Sequence, residues 1–574
     1  MRTPVILVSV GLIVGVAACS GSDEASPTDA TGQGAGAGTG SGGTGSGAGG
    51  AGGAGGGAGG AGGAGGGASC EPFGRFGAPV NTFTLPVSDG ATGLNYPDVQ
   101  ASFPEVDWAT LDRLYIPAGQ YKFMNLGNLP ERDAAAPLVI TNQGGQVQVG
   151  PNDPGGNYIW AVGGGSNWVL TGRYDPESGT GDVAYPGHRC GDYAGSRGHY
   201  GFLSDDAFAQ GQYLHMGIAV SDATDFELEY LEIFRSGFAG IRLLNKREPG
   251  DPERPMANVR VHDNYVHDVD GEGFYFGWTG APPSNPFPGL KIYNNRIIRA
   301  GNEALQIQDL ADGTEVHNNV FAFAAMHWRD NGLGMYQDNC AQVLTRSGTI
   351  VLRENVFLGG AGTLLSFWSQ PQAGDADRHV TFEGNYFAAT RSLGAYLGGS
   401  AAAGSDFHFN GNVFRDLDFS YDLLDPATTD PGIVFGVGAG YEAPVVFEGN
   451  TWEGSKQLAP GLTGPNGTSG VITATGNTNG PVTPIVFVAT GYPAGASVQR
   501  LESWAPKATV APGSPDIVYQ PGDLVMHDAV MYECTTQNSG LTPPDHPEAW
   551  EPLPTPIDDF RVEASSPYAT VGVN

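Results

Sequence analysis

Two glutamates and a histidine occupy the same position relative to a short sequence motif that repeats through the middle of this chain. Glu272 lies eight residues after Asn264, Glu303 eight after Asn295 and His327 eight after Asn319. If these positions stack, the two carboxyl groups repel each other, so one keeps its proton at a raised pKa unless a cation separates them. A protonated and an ionised carboxyl side by side are the groups that glycoside hydrolysis uses. The spacing therefore predicts an acid–base pair in Glu272 and Glu303, with His327 tuning or relaying the proton.

The same two glutamates leave other interpretations open. Glutamate is common on solvated turns, and two at one offset can arise by chance. Carboxylates also bind Ca²⁺, and Asp270 or Asp309 would be further ligands for it. Ca²⁺ therefore stays an open alternative, and the sequence indicates no other metal or cofactor.

The phrase itself reads apolar-x-apolar-x-x-Asn-x-apolar, and its asparagines are Asn264, Asn295, Asn319, Asn355, Asn385, Asn412 and Asn450. Apolar residues two apart mark a strand with one buried face. A strand phrase that returns about every 30 residues, with gaps of variable length, is typical of a solenoid. We therefore expect an all-β chain, a right-handed parallel β-helix, in which the asparagines form a hydrogen-bonded ladder.

Side chains beside the predicted acid–base pair follow from the same count. We count from the asparagine of each repeat, or from Leu231, which takes the place of the asparagine in an earlier, weaker copy. Positions ten and twelve are then apolar, whereas position eleven carries Arg242, Tyr275 and Gln306. These three should face outward on one sheet and contact a substrate. Trp278 and Trp368 follow the same strands and would serve as platforms for sugar rings, or as core residues.

A family resemblance supports the same fold. From Arg113 the sequence reads RLYIPAGQYKF, and short alternating strands separated by Gly-rich turns follow it. This opening resembles the first turns of pectin-lyase-like β-helix proteins. The resemblance implies a carbohydrate-active fold and specifies the fold better than the activity.

The sequence pattern changes at Trp504. The stretch from Trp504 to Leu553 resembles the small chitin-binding type of carbohydrate-binding module. The likeness rests on Tyr519, Gly522-Asp523, Tyr532 and Trp550. The resemblance implies that the three aromatic residues stack on sugar rings; the alternative is that they form the core of a tiny domain. The chain departs from the family in a long gap before Tyr519 and in Asp528, where Gly is usual.

These features divide the chain into a β-helix over 70–500, the module over 504–553 and a closing segment over 554–574. Its 27 Lys and Arg against 60 Asp and Glu give a net charge of −33. That charge weighs against nucleic acid and, unless a cation intervenes, against polyanionic polysaccharides. Four cysteines (Cys70, Cys190, Cys340 and Cys534) permit three full pairings or free buried thiols, and the sequence does not choose.

The first 69 residues indicate export. Residues 1–18 have a positive start and an apolar run too short to span a bilayer, as in a signal peptide. The ending Val-Ala-Ala-Cys resembles a bacterial lipobox, which implies cleavage before Cys19 and lipid on its sulfur; ordinary secretion is the alternative. Residues 19–69, rich in Gly, Ala and Ser, would be a flexible tether.

Taken together, the sequence favours a lipid-anchored glycoside hydrolase on the outer membrane or cell surface of a bacterium. Its partner would be a polysaccharide, either chitin-like or a plant or algal glycan, and we expect a monomer that meets the membrane only through its lipid. A polysaccharide lyase is the rival enzyme class, although it needs groups that hold a uronate carboxylate. A non-catalytic glycan-binding or adhesion protein is the third reading.

The lipid anchor is directly testable. Cys19→Ser removes the sulfur that would carry the lipid, so we expect this variant to leave the membrane fraction and enter the soluble fraction. Detergent partitioning of the two proteins measures this, with Ser26→Ala as the matched control. Unchanged membrane partitioning of Cys19→Ser would contradict the lipobox interpretation.

Overall fold

The computed structural model describes residues 71–87, 92–151, 158–188, 196–207, 215–278, 283–329, 339–360, 362–372, 374–390, 392–417, 432–492, 501–507 and 516–573. The signal peptide, the tether, Cys19, Cys70 and Cys190 lie outside these residues. Cys340 and Cys534 are buried free thiols. No helix in the described part of the chain is long and apolar enough to cross a bilayer.

Strands account for nearly all the regular structure of the described residues, beside a short helix α1 (Val99–Ser102) and a 3₁₀ helix (Pro543–Asp545). The first strands are β1 (Thr82–Thr84), β2 (Leu94–Tyr96), β3 (Arg113–Tyr121), β4 (Met124–Leu126), β5 (Leu138–Val149), β6 (Trp160–Gly163), β7 (Ser166–Thr171), β8 (Phe202–Asp205), β9 (Ile218–Ser221), β10 (Thr224–Glu229), β11 (Leu231–Phe234), β12 (Ile241–Leu244), β13 (Arg260–His262), β14 (Tyr265–Val269) and β15 (Phe274–Phe276). The middle strands are β16 (Lys291–Tyr293), β17 (Arg296–Ala300), β18 (Leu305–Leu310), β19 (Thr314–His317), β20 (Val320–Ala322), β21 (Ala341–Thr345), β22 (Gly348–Arg353), β23 (Val356–Gly360), β24 (Leu365–Ser369), β25 (Arg378–Glu383), β26 (Tyr386–Thr390), β27 (Ala395–Ala401), β28 (Asp406–Asn410), β29 (Val413–Arg415) and β30 (Phe435–Val437). The last strands are β31 (Gly440–Tyr441), β32 (Val445–Glu448), β33 (Thr451–Trp452), β34 (Gly467–Ser469), β35 (Ile472–Thr475), β36 (Thr478–Asn479), β37 (Phe487–Ala489), β38 (Glu502–Ser503), β39 (Val518–Tyr519), β40 (Leu524–His527), β41 (Val530–Cys534), β42 (Asn538–Ser539), β43 (Trp550–Pro552) and β44 (Asp559–Val562).

Successive coils pair in parallel, which confirms the predicted β-helix. One long parallel sheet runs from β2 through β9, β12, β15, β18, β21 and β24 to β30, and we call it the site sheet. The other faces of the solenoid are formed by paired rows such as β10–β13–β16–β19 and β11–β14–β17–β20. A continuous apolar core fills the interior from Leu85 to Ala474.

The predicted asparagine ladder is present and is one coil longer than predicted. Each side-chain oxygen accepts the side-chain amide of the preceding ladder residue at 2.9–3.0 Å, from Asn264 through Asn450 to Asn477. The residue before each ladder asparagine has φ between 52° and 65°: Asp263, Asn294, Asn318, Glu354, Gly384, Gly411, Gly449 and Gly476. Gly, Asn and Asp tolerate this left-handed turn best, which explains why they dominate the position.

The C-terminal chain packs against the outside of the solenoid. Strands β40, β41 and β43 of the predicted module form a small sheet with β38, which directly precedes the module. After it, β44 returns to pair antiparallel with β37, which precedes the module. A second apolar cluster, containing Tyr265, Val320, Met526 and Phe560, joins this part of the chain to the solenoid.

The ladder should contribute measurably to stability. Asn319 is fully buried, donates to Ile292 O and Asn355 Oδ1, and accepts from Asn295. Asn319→Ala leaves several buried polar groups unpaired, so we expect it to lower the free energy of unfolding by about 2–4 kcal/mol. Denaturant unfolding followed by circular dichroism measures the change.

The matched control is Asn479→Ala, because Asn479 is an exposed asparagine on β36. We expect this control to unfold with the parent protein. Equal unfolding midpoints for both variants would show that the ladder does not hold the coils together.

Candidate active site

The outer face of the site sheet carries the polar row that the sequence predicts. Register pairs Arg242 with Tyr275, Tyr275 with Gln306, and Gln306 with Gln342 on four successive coils. The residues on either side of this row, such as Phe274 and Phe276, point into the apolar core because side chains alternate along a strand. The row therefore presents a guanidinium, a phenol and two amides along the solenoid axis.

The two glutamates of the predicted pair lie at the edge of this row, on adjacent coils. The pairing of Phe274 with Leu305 sets Glu272 beside Glu303, and Gly273 N donates to Glu303 O at 2.9 Å. Neighbouring parallel strands lie about 4.8 Å apart. Glu272 is 0% and Glu303 2% exposed, so the pair is buried and does not lie on a solvated turn.

Burial dominates the electrostatics of Glu272. Loss of solvent raises its pKa to about 7, while a hydrogen bond from Asn302 Nδ2 at 3.5 Å and the charge of Arg242 oppose the rise. The result, a carboxyl that holds its proton near neutral pH, is the property that a general acid needs.

Two buried oxygen atoms near this edge are suited to bind a substrate. Oε2 of Glu272 and Oε1 of Gln306 have no hydrogen-bond partner among the described residues. Buried polar atoms are nearly always hydrogen-bonded in folded proteins. Both atoms can therefore accept a hydrogen bond from a hydroxyl or amino group, and Glu272 Oε2 can donate one when it carries the proton.

His327 does not continue the column of the two glutamates. Leu305 pairs with Ala341, and Ala304 N donates to Cys340 O. Counting two residues back on both strands places Asn339, and not His327, beside Glu303. The predicted stacking of His327 is wrong because the chain between the ladder asparagine and the next site-sheet strand is longer in this coil.

His327 nevertheless lies close to the pair. Its backbone N donates to Gly301 O at 2.8 Å, and its Nδ1 is 3.3 Å from Asp270 Oδ1. Asp270 precedes Glu272 by two residues, so the imidazole is near the turn that carries the first glutamate.

Trp278 lies at the outer end of the polar row and meets two cations. The Arg242 guanidinium is 5.8 Å from its ring centroid and 5.1 Å from that of Tyr275, and Lys246 Nζ is 5.2 Å from the Trp278 ring. Such cation–π contacts hold the guanidinium over the sheet. Trp278 thus positions charge at this site.

Trp368 belongs to an aromatic pair farther along the same face. Its ring lies at 66° and 5.6 Å from Tyr396, and its Nε1 donates to Ser366 Oγ at 2.9 Å. The ring covers Gly398, where a Cβ atom would come within 2.5 Å of it. The pair is half-buried, and along the axis Trp368 lies two coils and Tyr396 three coils from Gln306.

Two of the three aromatic residues predicted to bind sugar in the module form its core. Trp550 is 1% and Tyr519 3% exposed, and their rings meet edge to face at 5.1 Å. Trp550 Nε1 donates to Leu541 O, and Tyr519 OH bonds to Ala505. A domain this small needs its largest side chains inside, so the sugar-stacking role does not fit these two; Tyr532 is half-buried.

A cluster of ionisable residues that the sequence analysis missed lies on another face. Glu227, Glu229 and His262 hold ligand atoms within 4.8 Å of one another. Arg75 Nη2 lies 2.5 and 2.6 Å from Glu227 and Glu229, and Arg260 also pairs with Glu227. These guanidinium groups neutralise the carboxylates, so the cluster forms an ion-pair network. The alternation Glu227-x-Glu229 on a strand was the only signal in the sequence.

The Ca²⁺ alternative gains no ligand set from this structure. In the part of the chain that is described, Asp270 and Asp309 do not belong to a group of three acidic or histidine ligands. Asn245 Nδ2 donates to Asp309 at 3.0 Å. Asp270 is beside His327, as noted above.

No protein-family model and no curated protein match this chain. An alginate lyase from Paenibacillus sp. str. FPU-7 is similar in structure with a TM-score of 0.37 and 16% identity, over 69% of this chain and 99% of that one. A pectate lyase has a TM-score of 0.35 and 10% identity, over 70% and 80%. The catalytic unit of an α-1,3-glucanase from Streptomyces thermodiastaticus strain HF3-3 has 0.30 and 12%, over 69% and 70%. These TM-scores lie below 0.5, so the similarities add nothing to the assignment of the site.

Burial of Glu272 makes protein stability depend on pH in a defined direction. Glutamate has an ordinary pKa of 4.5, and burial raises that of Glu272 to about 7. Between these values the unfolded chain loses a proton that the folded chain retains, so the stability from this group is full below pH 4.5 and is lost as the pH rises to about 7. We expect Glu272→Gln, which cannot ionise, to gain on the order of 2–3 kcal/mol relative to the parent above that range.

Denaturant unfolding of both proteins at about pH 4 and pH 8 checks this difference. Glu383→Gln is the matched control, because Glu383 is exposed at the end of β25. The control should follow the parent at both values. The same response in both variants would contradict a raised pKa at Glu272.

Proposed function

We propose that this chain is a carbohydrate-active enzyme that hydrolyses glycosidic bonds of a polysaccharide. The observation that carries the proposal is the buried pair Glu272 and Glu303, held on adjacent coils at the edge of a polar row. Isolated buried carboxyls are destabilising. Two of them beside a guanidinium, a phenol and an amide are explained by a reaction that needs both an acid and a base.

Glu272 is assigned the role of general acid. Its pKa of about 7 keeps a large fraction protonated near neutral pH, and the proton would pass to the oxygen of the leaving sugar. Glu303 would attack the anomeric carbon, or activate the water that does so. A spacing of about 4.8 Å between strands is closer to the separation used by retaining enzymes, about 5–5.5 Å, than to that of inverting ones.

The polar row would position the substrate. Arg242, Tyr275 and Gln306 lie one coil apart, so they would contact consecutive parts of a polymer that runs along the solenoid axis. The aromatic pair Trp368 and Tyr396 would bind a sugar ring farther along the same line. His327, beside Asp270, would tune the charge near Glu272.

A polysaccharide lyase is the second candidate, and Arg242 is the observation that favours it. A guanidinium at the reacting centre would neutralise a uronate carboxylate, and a neighbouring group would remove the acidic C–H proton. The net charge of −33 opposes binding of a uronate polymer. Hydrolysis is therefore the leading proposal.

The cellular setting remains a proposal from the sequence. A signal peptide over 1–18, lipid on Cys19 and a tether to residue 69 would hold the β-helix away from the membrane surface. Such a location gives access to polymers too large to enter a cell. The proposed partner is a neutral or amino-sugar polysaccharide, with no role for nucleic acid.

Hydrolysis by this pair requires both carboxyl groups. We expect Glu272→Gln and Glu303→Gln each to reduce turnover by about 10²–10⁴-fold, the usual contribution of acid–base catalysis. New reducing ends, measured on chitin, chitosan, xylan, pectin and alginate, report the reaction. Glu383→Gln, an exposed glutamate on β25, should retain full activity.

Each alternative has its own outcome in this assay. Products with unsaturated ends would contradict hydrolysis and support the polysaccharide lyase. Activity that survives in both glutamine variants would remove the pair from catalysis. Tight binding of a glycan without any product would favour the non-catalytic reading, and stabilisation of the parent alone by added Ca²⁺ would make the pair a metal site.

A further inference from the structure

The outward row of the site sheet continues well beyond the carboxyl pair. Register extends the position of Gln306 through four more coils, to Gln342, Ser366, Tyr396 and Gly436. Because side chains alternate along a strand, the residues at this position face away from the apolar core. The row therefore runs from the carboxyl pair toward the C-terminal end of the site sheet.

The four strands that carry this extension contain no charged residue. Their sequences are AQVLT in β21, LSFWS in β24, AYLGGSA in β27 and FGV in β30. The chain as a whole has a net charge of −33, so an uncharged face across four strands is a local departure from its composition. An ionic ligand group meets no opposite charge on these strands, whereas the Gln342 amide can bond with the hydroxyl groups of a neutral sugar.

Trp368 lies flat against this uncharged face. It pairs in register with Gly398 on the next coil, and a Cβ atom at Gly398 would come within 2.5–2.8 Å of three atoms of its six-membered ring. At the other end of the indole, Nε1 donates to Ser366 Oγ at 2.9 Å. One face of the ring therefore contacts the sheet, and the opposite face of this half-buried side chain points outward.

Tyr396 repeats the arrangement one coil farther on. A Cβ atom at Gly436, its partner in register, would lie 2.6 Å from Cδ2 of its ring. Tyr396 is half-buried, and its hydroxyl has no hydrogen-bond partner among the described residues. Its ring centroid is 5.6 Å from that of Trp368. We call Trp368 and Tyr396, with Gly398 and Gly436 beneath them, the aromatic platform.

The two glycines lie where the platform requires them. Glycine inside a strand costs conformational entropy and packs no side chain, so it usually marks a place where another group approaches closely. Here the approaching group is an aromatic ring, which any larger residue would push off the sheet. Exposed aromatic faces stack on sugar rings, and a ring that is already fixed loses little freedom when a ligand binds.

The platform is too far from the carboxyl pair to contact the sugar that reacts. Trp368 lies two coils and Tyr396 three coils from Gln306. At about 4.8 Å per coil, these separations are roughly 10 and 14 Å along the axis. A pyranose residue spans little more than one coil spacing, so at least one further residue lies between the platform and the bond that is cleaved.

We infer that the aromatic platform is a binding site for uncharged sugar residues, and that it makes turnover of a neutral polysaccharide depend on chain length. The inference rests on the proposed function for the carboxyl pair that cleaves the chain. A chain held on the platform passes Gln342 before it reaches the pair, so several consecutive residues bind on one side of the cleaved bond. Binding energy from these distant residues then favours long chains over short ones.

Affinity electrophoresis tests the platform without any turnover. The full chain carries Glu272→Gln to suppress hydrolysis and migrates in native gels that contain soluble xylan, galactomannan, hydroxyethylcellulose, glycol chitin or laminarin. We expect at least one of these neutral polymers to retard it. Trp368→Ala removes the ring, and Gly398→Ala keeps the ring but pushes it off the sheet. Each should raise the apparent dissociation constant about fivefold, within the range for one aromatic contact.

Tyr115→Ala is the matched control, because Tyr115 is a half-buried tyrosine on β3, in a different sheet of the solenoid. It should bind like the parent. Retardation by none of the five polymers, or equal retardation of the parent and both platform variants, would overturn the inference. Loss of binding in Tyr532→Ala alone would also overturn it, because the glycan would then be bound by the module.

Turnover of oligosaccharides of the bound polymer separates this inference from the proposed function. In the chain with active Glu272, we expect Trp368→Ala to lower kcat/KM about fivefold for a hexasaccharide and to leave that for a disaccharide unchanged, because the short chain does not reach the platform. Hydrolysis that is equal in parent and variant at both lengths would remove the platform and retain the proposed function. Binding that depends on Trp368 in a protein without hydrolytic activity would retain the platform and remove the proposed function.

Discussion

The hydrogen bond that passes from the asparagine of one coil to that of the next fixes the register on which the rest of the structure depends. Each ladder oxygen also accepts the backbone N–H of the preceding ladder residue, at 2.9–3.1 Å from Asn264 to Asn450. These bonds satisfy polar groups at a turn where the chain leaves one sheet for another and no strand partner is available. Ladder spacing ranges from 24 residues (319 − 295) to 38 (450 − 412), so variation in length is absorbed in loops while the register is kept.

A fixed register converts spacing along the sequence into neighbours in space, and this includes neighbours that destabilise each other. Glu272 and Glu303 are brought together because their coils align, and both are removed from water. Burial of a carboxyl is costly unless it is neutral or paired, and the raised pKa of Glu272 is the response to that cost. A fold that retains two such groups beside Arg242 and Tyr275 sacrifices stability locally, as functional sites commonly do.

The sequence was sufficient where one physical rule governs, and insufficient where distant segments meet. The alternation of apolar residues and the offset from the asparagine predicted both the solenoid and the row of Arg242, Tyr275 and Gln306. The same count failed for His327, because a longer segment precedes the next strand and no local signal marks where the coil resumes. Burial of Trp550 was also out of reach, since an aromatic residue has the same sequence signature whether it is a core residue or a sugar platform. The contact of Arg75 with Glu227 joins residues 152 apart, which no local pattern encodes.

Buried charged residues attach the module to the β-helix. A module that only recruited substrate would tolerate a loose linker, because its binding would be independent of the catalytic geometry. Here the chain is fixed on both sides of the module, by Glu502 before it and by Asp558 after it. Asp558 is fully buried and accepts hydrogen bonds from Arg299 and Tyr265, which belong to the β-helix and not to the small sheet. Two buried charged attachments cost desolvation and contribute little net stability, and their usual benefit is a defined geometry. The attachment therefore indicates that the position of the module relative to the β-helix is set by the fold and not by a loose linker.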